Sequence, residues 1–335
     1  MNRTIRILRH ALVAGLSAFA MLCLFDALSI ATEQATIRPS TVPQEYVITP
    51  FGYFHPSCVQ GLAENETLLP DGRVLRADGS VRTVASCTFP HFTPSGETVA
   101  EGISTQQMTA QKTTATAETS PVVSGWLEYV STTTSTSYGE IAATWTVPPA
   151  PANYEEQTLF FFPGFEDINN VLTIVQPVLQ FGASSAGGGE YWSIASWNCC
   201  VTGQAWFSGL KKVSVGDTIS GKILPACSRK KFKTCTTWKI VTKDQTTGKK
   251  STLNQINPDG QTWNWAFGAV LEVYGVRQCS DFADNSSTTL TVQLYDSNFE
   301  PIADPGWTAN PAGAGVTPQC NYGLDVTDTV ETLEY

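Results

Sequence analysis

Histidine is nearly missing from this chain. Only His10, His55 and His91 occur in 335 residues. A Ser-His or Cys-His catalytic pair, or a histidine-ligated metal, is therefore excluded from everything after residue 91. Charge is also scarce, at 15% of residues. No convincing helical periodicity runs through the chain, and 101–115 is the nearest helix candidate. Gly187–Gly189 is a glycine run with no Lys-Ser/Thr and no helix behind it, which makes it a turn and not a phosphate loop. No internal repeat is present, and no dibasic pair lies between 98 and 120.

What is present is β-rich and extracellular in character: Thr, Ser, Gly and aromatics. Arg3, Arg6 and Arg9 precede an apolar run, Ala11 to Phe25, and Ser29-Ile30-Ala31 offers small residues for cleavage. At about 15 residues the run is short for a membrane span, so residues 1–31 read as a signal peptide. The expected protein is secreted, with no stable membrane association after cleavage. Residues 1–31 hold three arginines and one aspartate, so 17 basic and 29 acidic residues remain, a net charge near −12. Nucleic acid and anionic membranes are poor partners for such a chain. In acid, where many carboxylates are neutral, its self-repulsion falls.

Eight cysteines follow the leader. Proximity in the chain favours Cys58–Cys87, Cys227–Cys235 and Cys279–Cys320. Cys199 and Cys200 are left over, either as a vicinal pair or with a partner from the other groups. Asn65-Glu-Thr and Asn285-Ser-Ser are glycosylation sequons in turn-like surroundings.

Residues 32–50 are Thr- and Pro-rich. Residues 51–97 read as a small disulfide-closed β module with hairpin turns at Asp71-Gly72 and Asp78-Gly79. Residues 98–120 have the composition of a linker. The expected division is a leader at 1–31, a prosegment-like module and linker at 32–120, and a β-sandwich domain at 121–335. From Val122 onward short alternating strands succeed one another, as in Ile141–Val147, Trp238–Ile240 and Leu290–Leu294, and Val215–Thr218 reads as a hairpin turn. This pattern predicts a sandwich or jelly roll.

Two strands carry the candidate chemistry. In 171–181 Gln176 and Gln180 share a face if the stretch is one strand, and Pro177 predicts a bulge or kink. In 263–276 Glu272 is a lone carboxylate. Simple alternation puts it with Asn264, Ala266, Gly268, Val270 and Tyr274, with room for a ligand, and puts Trp263, Trp265, Phe267, Leu271 and Val273 on the core face. The basic cluster Arg229-Lys230-Lys231-Phe232-Lys233 is expected at the exposed tip of a disulfide-closed hairpin.

The series TWTVP (144–148), FFPGFED (161–167), VLQFG (178–182), YWSIASWN (191–198), VGDTI (215–219) and AVLEVYG (269–275) resembles the fungal glutamic peptidases, the eqolisins, in order and spacing. The resemblance covers 122–276. It implies an all-β, concanavalin-like β-sandwich, a jelly roll of two curved seven-stranded antiparallel sheets made as a precursor and active in acid. The family's catalytic Gln and Glu fall on Gln180 and Glu272, with Gln176 as the alternative amide. Glu166, a candidate substrate-binding residue, stands at best where the family has an Asp, and Glu190, Trp192, Trp197 and Tyr274 are candidate cleft walls. Residues 32–120 would then block the cleft, with His55 and His91 placed to sense pH or to serve simple turn roles. The chain departs from the pattern: 161–166 lacks the family's tryptophan, 191–197 lacks its internal glutamate, and 277–335 has no counterpart. A looser comparison is the neprosin-type plant peptidases, which pair two glutamates. The implied reaction is hydrolysis of a polypeptide substrate without cofactor or metal. The competing expectation is a non-catalytic sandwich that binds glycans or a surface partner. A retaining glycosidase using Glu190 and Glu272 would need its carboxyls about 5–5.5 Å apart, and no motif supports it.

Overall fold

A computed structural model of the chain describes residues 38–99, 122–169, 174–201, 203–227, 237–256 and 261–335. The expected leader, the helix candidate at 101–115, most of the linker, the basic cluster at 229–233 and Cys235 lie outside the described residues. From Ala35 onward the chain forms one compact unit.

The first strands are short: β1 (Val47–Thr49), β2 (Gly52–Phe54), β3 (Val59–Leu62), β4 (Thr67–Leu68), β5 (Val74–Leu75), β6 (Val81–Arg82), β7 (His91–Phe92) and β8 (Thr98–Val99). Longer ones follow: β9 (Val123–Thr133), β10 (Glu140–Thr146), β11 (Thr158–Glu166), β12 (Ile174–Ser184), β13 (Gly187–Val201), β14 (Gln204–Ser208), β15 (Lys211–Lys212) and β16 (Thr218–Pro225). The last are β17 (Thr237–Asp244), β18 (Lys250–Ile256), β19 (Trp265–Val276), β20 (Ser287–Tyr295), β21 (Thr308–Asn310), β22 (Gly323–Val326) and β23 (Val330–Glu334). Among the described residues there is no α-helix, only short 3-10 turns such as Pro56–Cys58 and Cys279–Asp281.

Two large sheets make a sandwich. One runs β22-β23-β20-β10-β16-β17-β18-β4-β5-β6; the other runs β21-β9-β19-β11-β12-β13-β14-β3, with β15 beside β13. They are larger than the seven-stranded pair the resemblance implied, because both ends of the chain add strands. The region before residue 100 contributes β3, parallel to β14, and β4, parallel to β18. The region after 276 contributes β20 to β23. The turn at Val215–Thr218 is not a hairpin: β15 pairs with β13 and β16 with β10, so this turn carries the chain from one sheet to the other. Asp71-Gly72 and Asp78-Gly79 do form hairpin turns, joining β4–β5 and β5–β6.

A small third sheet, β1-β2-β7-β8, lies on the outer face of the nine-stranded sheet. One apolar cluster fills the space between the two large sheets, with Trp145, Leu179, Ile194, Leu271 and Leu290 among its members. A second cluster joins the nine-stranded sheet to the small one; it packs Ile48, Phe51, Tyr53 and Phe54 against Phe160, Trp197, Val270 and Tyr274. An antiparallel sheet ordinarily leaves one face to water. Here β11 and β19 are buried at every position because both faces are covered. Strands of two or three residues cannot hold a sheet together by their ladders alone. Burying each large apolar side chain contributes about 1.5–3 kcal/mol, so the second cluster anchors the small sheet.

Disulfides join Cys58 to Cys87, Cys279 to Cys320 and the neighbours Cys199 and Cys200. Cys227 is also disulfide-bonded. Asn65 and Asn285 are exposed.

Candidate functional site

Glu272 sits in the middle of β19 with no solvent exposure. Its two oxygens accept from the Trp126 indole N–H at 3.1 Å and the Tyr274 hydroxyl at 2.6 Å. The Tyr274 oxygen in turn accepts from the Gly52 backbone N–H at 2.7 Å. Burial raises the carboxyl pKa to about 8 against these two donors, which pull it down. Burial also raises Tyr274 well above the usual phenol value. In this covered state Glu272 is therefore a neutral acid throughout the acidic range.

The surroundings of Glu272 differ from simple alternation. The register of β19 against β9 slips between Phe267 and Ala269, and this bulge moves Trp265 and Phe267 onto the face of Val270, Glu272 and Tyr274. Ala266 goes to the other face, inside the sandwich. The carboxyl is packed among aromatics, not among small residues with space for a ligand. Trp126 meets Phe267 edge-on at 5.0 Å and Phe162 at 5.8 Å.

Gln180 lies two strands away. Phe160 pairs with Gln180 on one side and with Glu272 on the other, so all three side chains share one face with Phe160 in the middle. The Gln180 amide nitrogen donates to Gly182 O at 2.8 Å and Gly187 O at 2.9 Å, and its oxygen accepts from the Ser184 hydroxyl at 2.8 Å. All of its polar atoms are thus engaged within the β12–β13 hairpin. That hairpin closes tightly because Gly188, at φ +112°, has no side chain: a Cβ there would lie 2.5 Å from the Gln180 amide nitrogen.

Gln176 shares the face of Gln180 and is also fully buried. Its amide nitrogen donates to Pro50 O at 3.1 Å, and its Oε1 has no partner. The irregularity expected at Pro177 lies on the β11 side. The β11–β12 ladder lapses between the pairs Phe161–Leu179 and Phe165–Val175, the stretch that holds Pro163 and Pro177. Neither proline has an N–H to offer.

The other candidates are dispersed. Trp197, opposite Gln176 on β13, is on the Glu272 face and packs against Phe207. Trp192 is inside the sandwich against Phe161 and Phe181. Glu190 is exposed beside Tyr154. Glu166 is buried at the end of β11, opposite Trp265; six residues from Phe160, it is about 20 Å along the strand from the level of Glu272. His55 hydrogen-bonds Ser57 in a turn and stacks on Phe89, while His91 stacks on Phe54. The partner that the sequence did not reveal is Trp126. It donates to Glu272 from 146 residues away, and a tryptophan inside a strand pattern reads simply as core. Tyr274, two positions from Glu272, was legible because alternate residues share a face.

No family model matches this chain, and no curated protein matches its sequence. Among solved structures, scytalido-glutamic peptidase with a peptide-based transition state analog aligns at 13% identity and a TM-score of 0.44, covering 64% of this chain and 99% of that one. SCP-B, a member of the eqolisin family in complex with the tripeptide Ala-Ile-His, aligns at 14% identity and a TM-score of 0.44 over the same shares. The bacteriophage CBA120 tailspike protein 2 aligns at 10% identity and a TM-score of 0.25, covering 50% of this chain and 24% of that one.

Proposed function

We propose that the chain is a secreted acid endopeptidase in which Glu272 activates water and a side-chain amide of β12 holds the oxyanion. The observation that carries this reading is the shared sheet face: a buried carboxyl held by two donors, with Gln176 and Gln180 two strands away. In the working state the first residues leave the face and water enters. Desolvation then relaxes and Glu272 ionises. The carboxylate takes a proton from water, the hydroxide adds to the peptide carbonyl, and the oxyanion accepts from the Gln180 amide. Protonated Glu272 returns its proton to the leaving amine. Gln180 must first exchange the Gly182 and Gly187 carbonyls for the substrate. Residues 32–120 act as the prosegment in this reading, and residues 1–31 as the leader.

One observation favours a second reading, a non-catalytic sandwich that binds a glycan or a surface partner. Gln180 is fully satisfied inside its own hairpin, and Phe160 stands between it and Glu272. The deciding experiment measures cleavage of a denatured protein from pH 2 to 7, before and after acid incubation, for the wild type and for Glu272→Gln and Gln180→Ala. Cleavage that peaks in acid and is lost in both variants supports the peptidase. A wild type that stays silent once residues 32–120 are removed, while still retaining glycans, supports the second reading.

A further inference from the structure

The β1–β2 turn, Thr49–Gly52, enters the Glu272 face. Thr49 closes it by donating its hydroxyl to Gly52 O at 3.0 Å. Two groups of the nine-stranded sheet and one of its β12–β13 turn hold this segment and the adjoining β1, and all three bind main chain: Gln176 Nε2 donates to Pro50 O at 3.1 Å, the Ser185 N–H of the β12–β13 turn donates to Ile48 O at 2.9 Å, and the Tyr274 hydroxyl oxygen accepts from the Gly52 N–H at 2.7 Å. The hold is incomplete at the buried Oε1 of Gln176, which has no donor, and the Ser185 hydroxyl is also without a partner. A primary amide offers a donor and an acceptor side by side. In an extended chain, the N–H and C=O of one residue point the same way and can meet both. Pro50 supplies the carbonyl but has no N–H.

We propose that Gln176, Ser185 and Tyr274 form a binding site for polypeptide main chain, in which the β1–β2 turn sits as a half-matched intramolecular ligand that an extended polypeptide displaces. This rests on the reading of the face as a polypeptide site and adds which groups grip the chain. It does not depend on turnover. The turn is seated by Phe51, buried in the aromatic cluster, so Phe51→Ala loosens the intramolecular ligand without touching the three gripping groups.

The test reads binding in a full-length Glu272→Gln background, so failure of the peptidase chemistry leaves it standing. The probe is a fluorescein-labelled peptide of residues 44–54 carrying Pro50→Ala, which restores the missing N–H; its twin is N-methylated at that alanine. Adding Phe51→Ala to the protein should tighten probe binding about tenfold, Gln176→Leu should remove the gain, and the methylated twin should bind about tenfold more weakly. A gain that survives Gln176→Leu, or binding that ignores N-methylation, overturns the site. A measurement that needs no loosened variant is hydrogen exchange of residues 47–54 in the Glu272→Gln chain. Saturating probe should speed exchange of this segment about tenfold, and unchanged protection overturns the displacement.

Discussion

Tyr274 links two parts of the chain through one oxygen. It donates to Glu272 and accepts from the Gly52 N–H, so the carboxyl, the phenol and the small sheet are joined in a buried relay. In Tyr274→Phe both neighbours stay buried and lose a partner. The expected loss is about 1–3 kcal/mol of unfolding free energy, read from urea unfolding at pH 5, and a variant as stable as the wild type would show that the relay contributes nothing. Trp126→Phe keeps most of the packing but removes the second donor to Glu272. Because that donor lowers the carboxyl pKa, its removal should move the Glu272 titration upward, as followed by the carboxyl infrared band with Glu272→Gln as the blank.

At the scale of the element, irregularities in the strands decide where side chains go. The β19 bulge at Phe267–Ala269 exchanges the faces of Trp265 and Phe267 relative to a regular strand. The β12–β13 hairpin depends on glycine at 188, where the backbone is left-handed and a Cβ would lie 2.3 Å from Gly182 O. Gly188→Ala is expected to destabilise by about 1–3 kcal/mol and to free the Gln180 amide, which thermal unfolding and hydrogen exchange of residues 182–189 would detect. Gly248→Ala is the control, at φ +80° with nothing within 4 Å of the added carbon. If both glycines cost the same, close packing against Gln180 is irrelevant and only backbone strain counts.

The whole molecule carries its own pH dependence. Burial raises Glu272 and Glu128 to about 8 and lifts Glu331 well above the usual carboxyl value of 4.5. Neither Glu331 oxygen has a hydrogen-bond partner, and both press against Gly268 across the core. From pH 4.5 upward the unfolded carboxyls release protons that the folded ones retain, so stability falls as pH rises from about 4.5 to about 8. His91 acts in the opposite sense. Burial lowers it from 6.5 to about 4, so its contribution is lost as pH falls through that window. Three carboxyls outweigh one imidazole, and the urea midpoint should be higher at pH 4.5 than at pH 8. Glu331→Gln, neutral at every pH, should flatten the slope; an unchanged slope would mean that Glu331 ionises without penalty.

Much of this was determined by local sequence. Alternating apolar residues make an all-β sandwich whatever lies far away, since side chains on a strand alternate with period two. Asp-Gly pairs set the β4–β5 and β5–β6 turns, and cysteines that neighbour each other in cysteine order pair across 29 and 41 residues. The i, i+2 spacing of Glu272 and Tyr274 and the i, i+4 spacing of Gln176 and Gln180 place each pair on one face. Only tertiary structure decided the rest. The Trp126–Glu272 contact spans 146 residues and the Gln176–Pro50 contact 126, separations at which no periodicity speaks. The bulge that gathers aromatics around Glu272 follows from how β19 registers against β9, and the lapse at Pro163 and Pro177 from how β11 meets β12. The third layer that buries Glu272 exists because short strands near the N-terminus gain more by packing on an apolar sheet face than by standing alone in water.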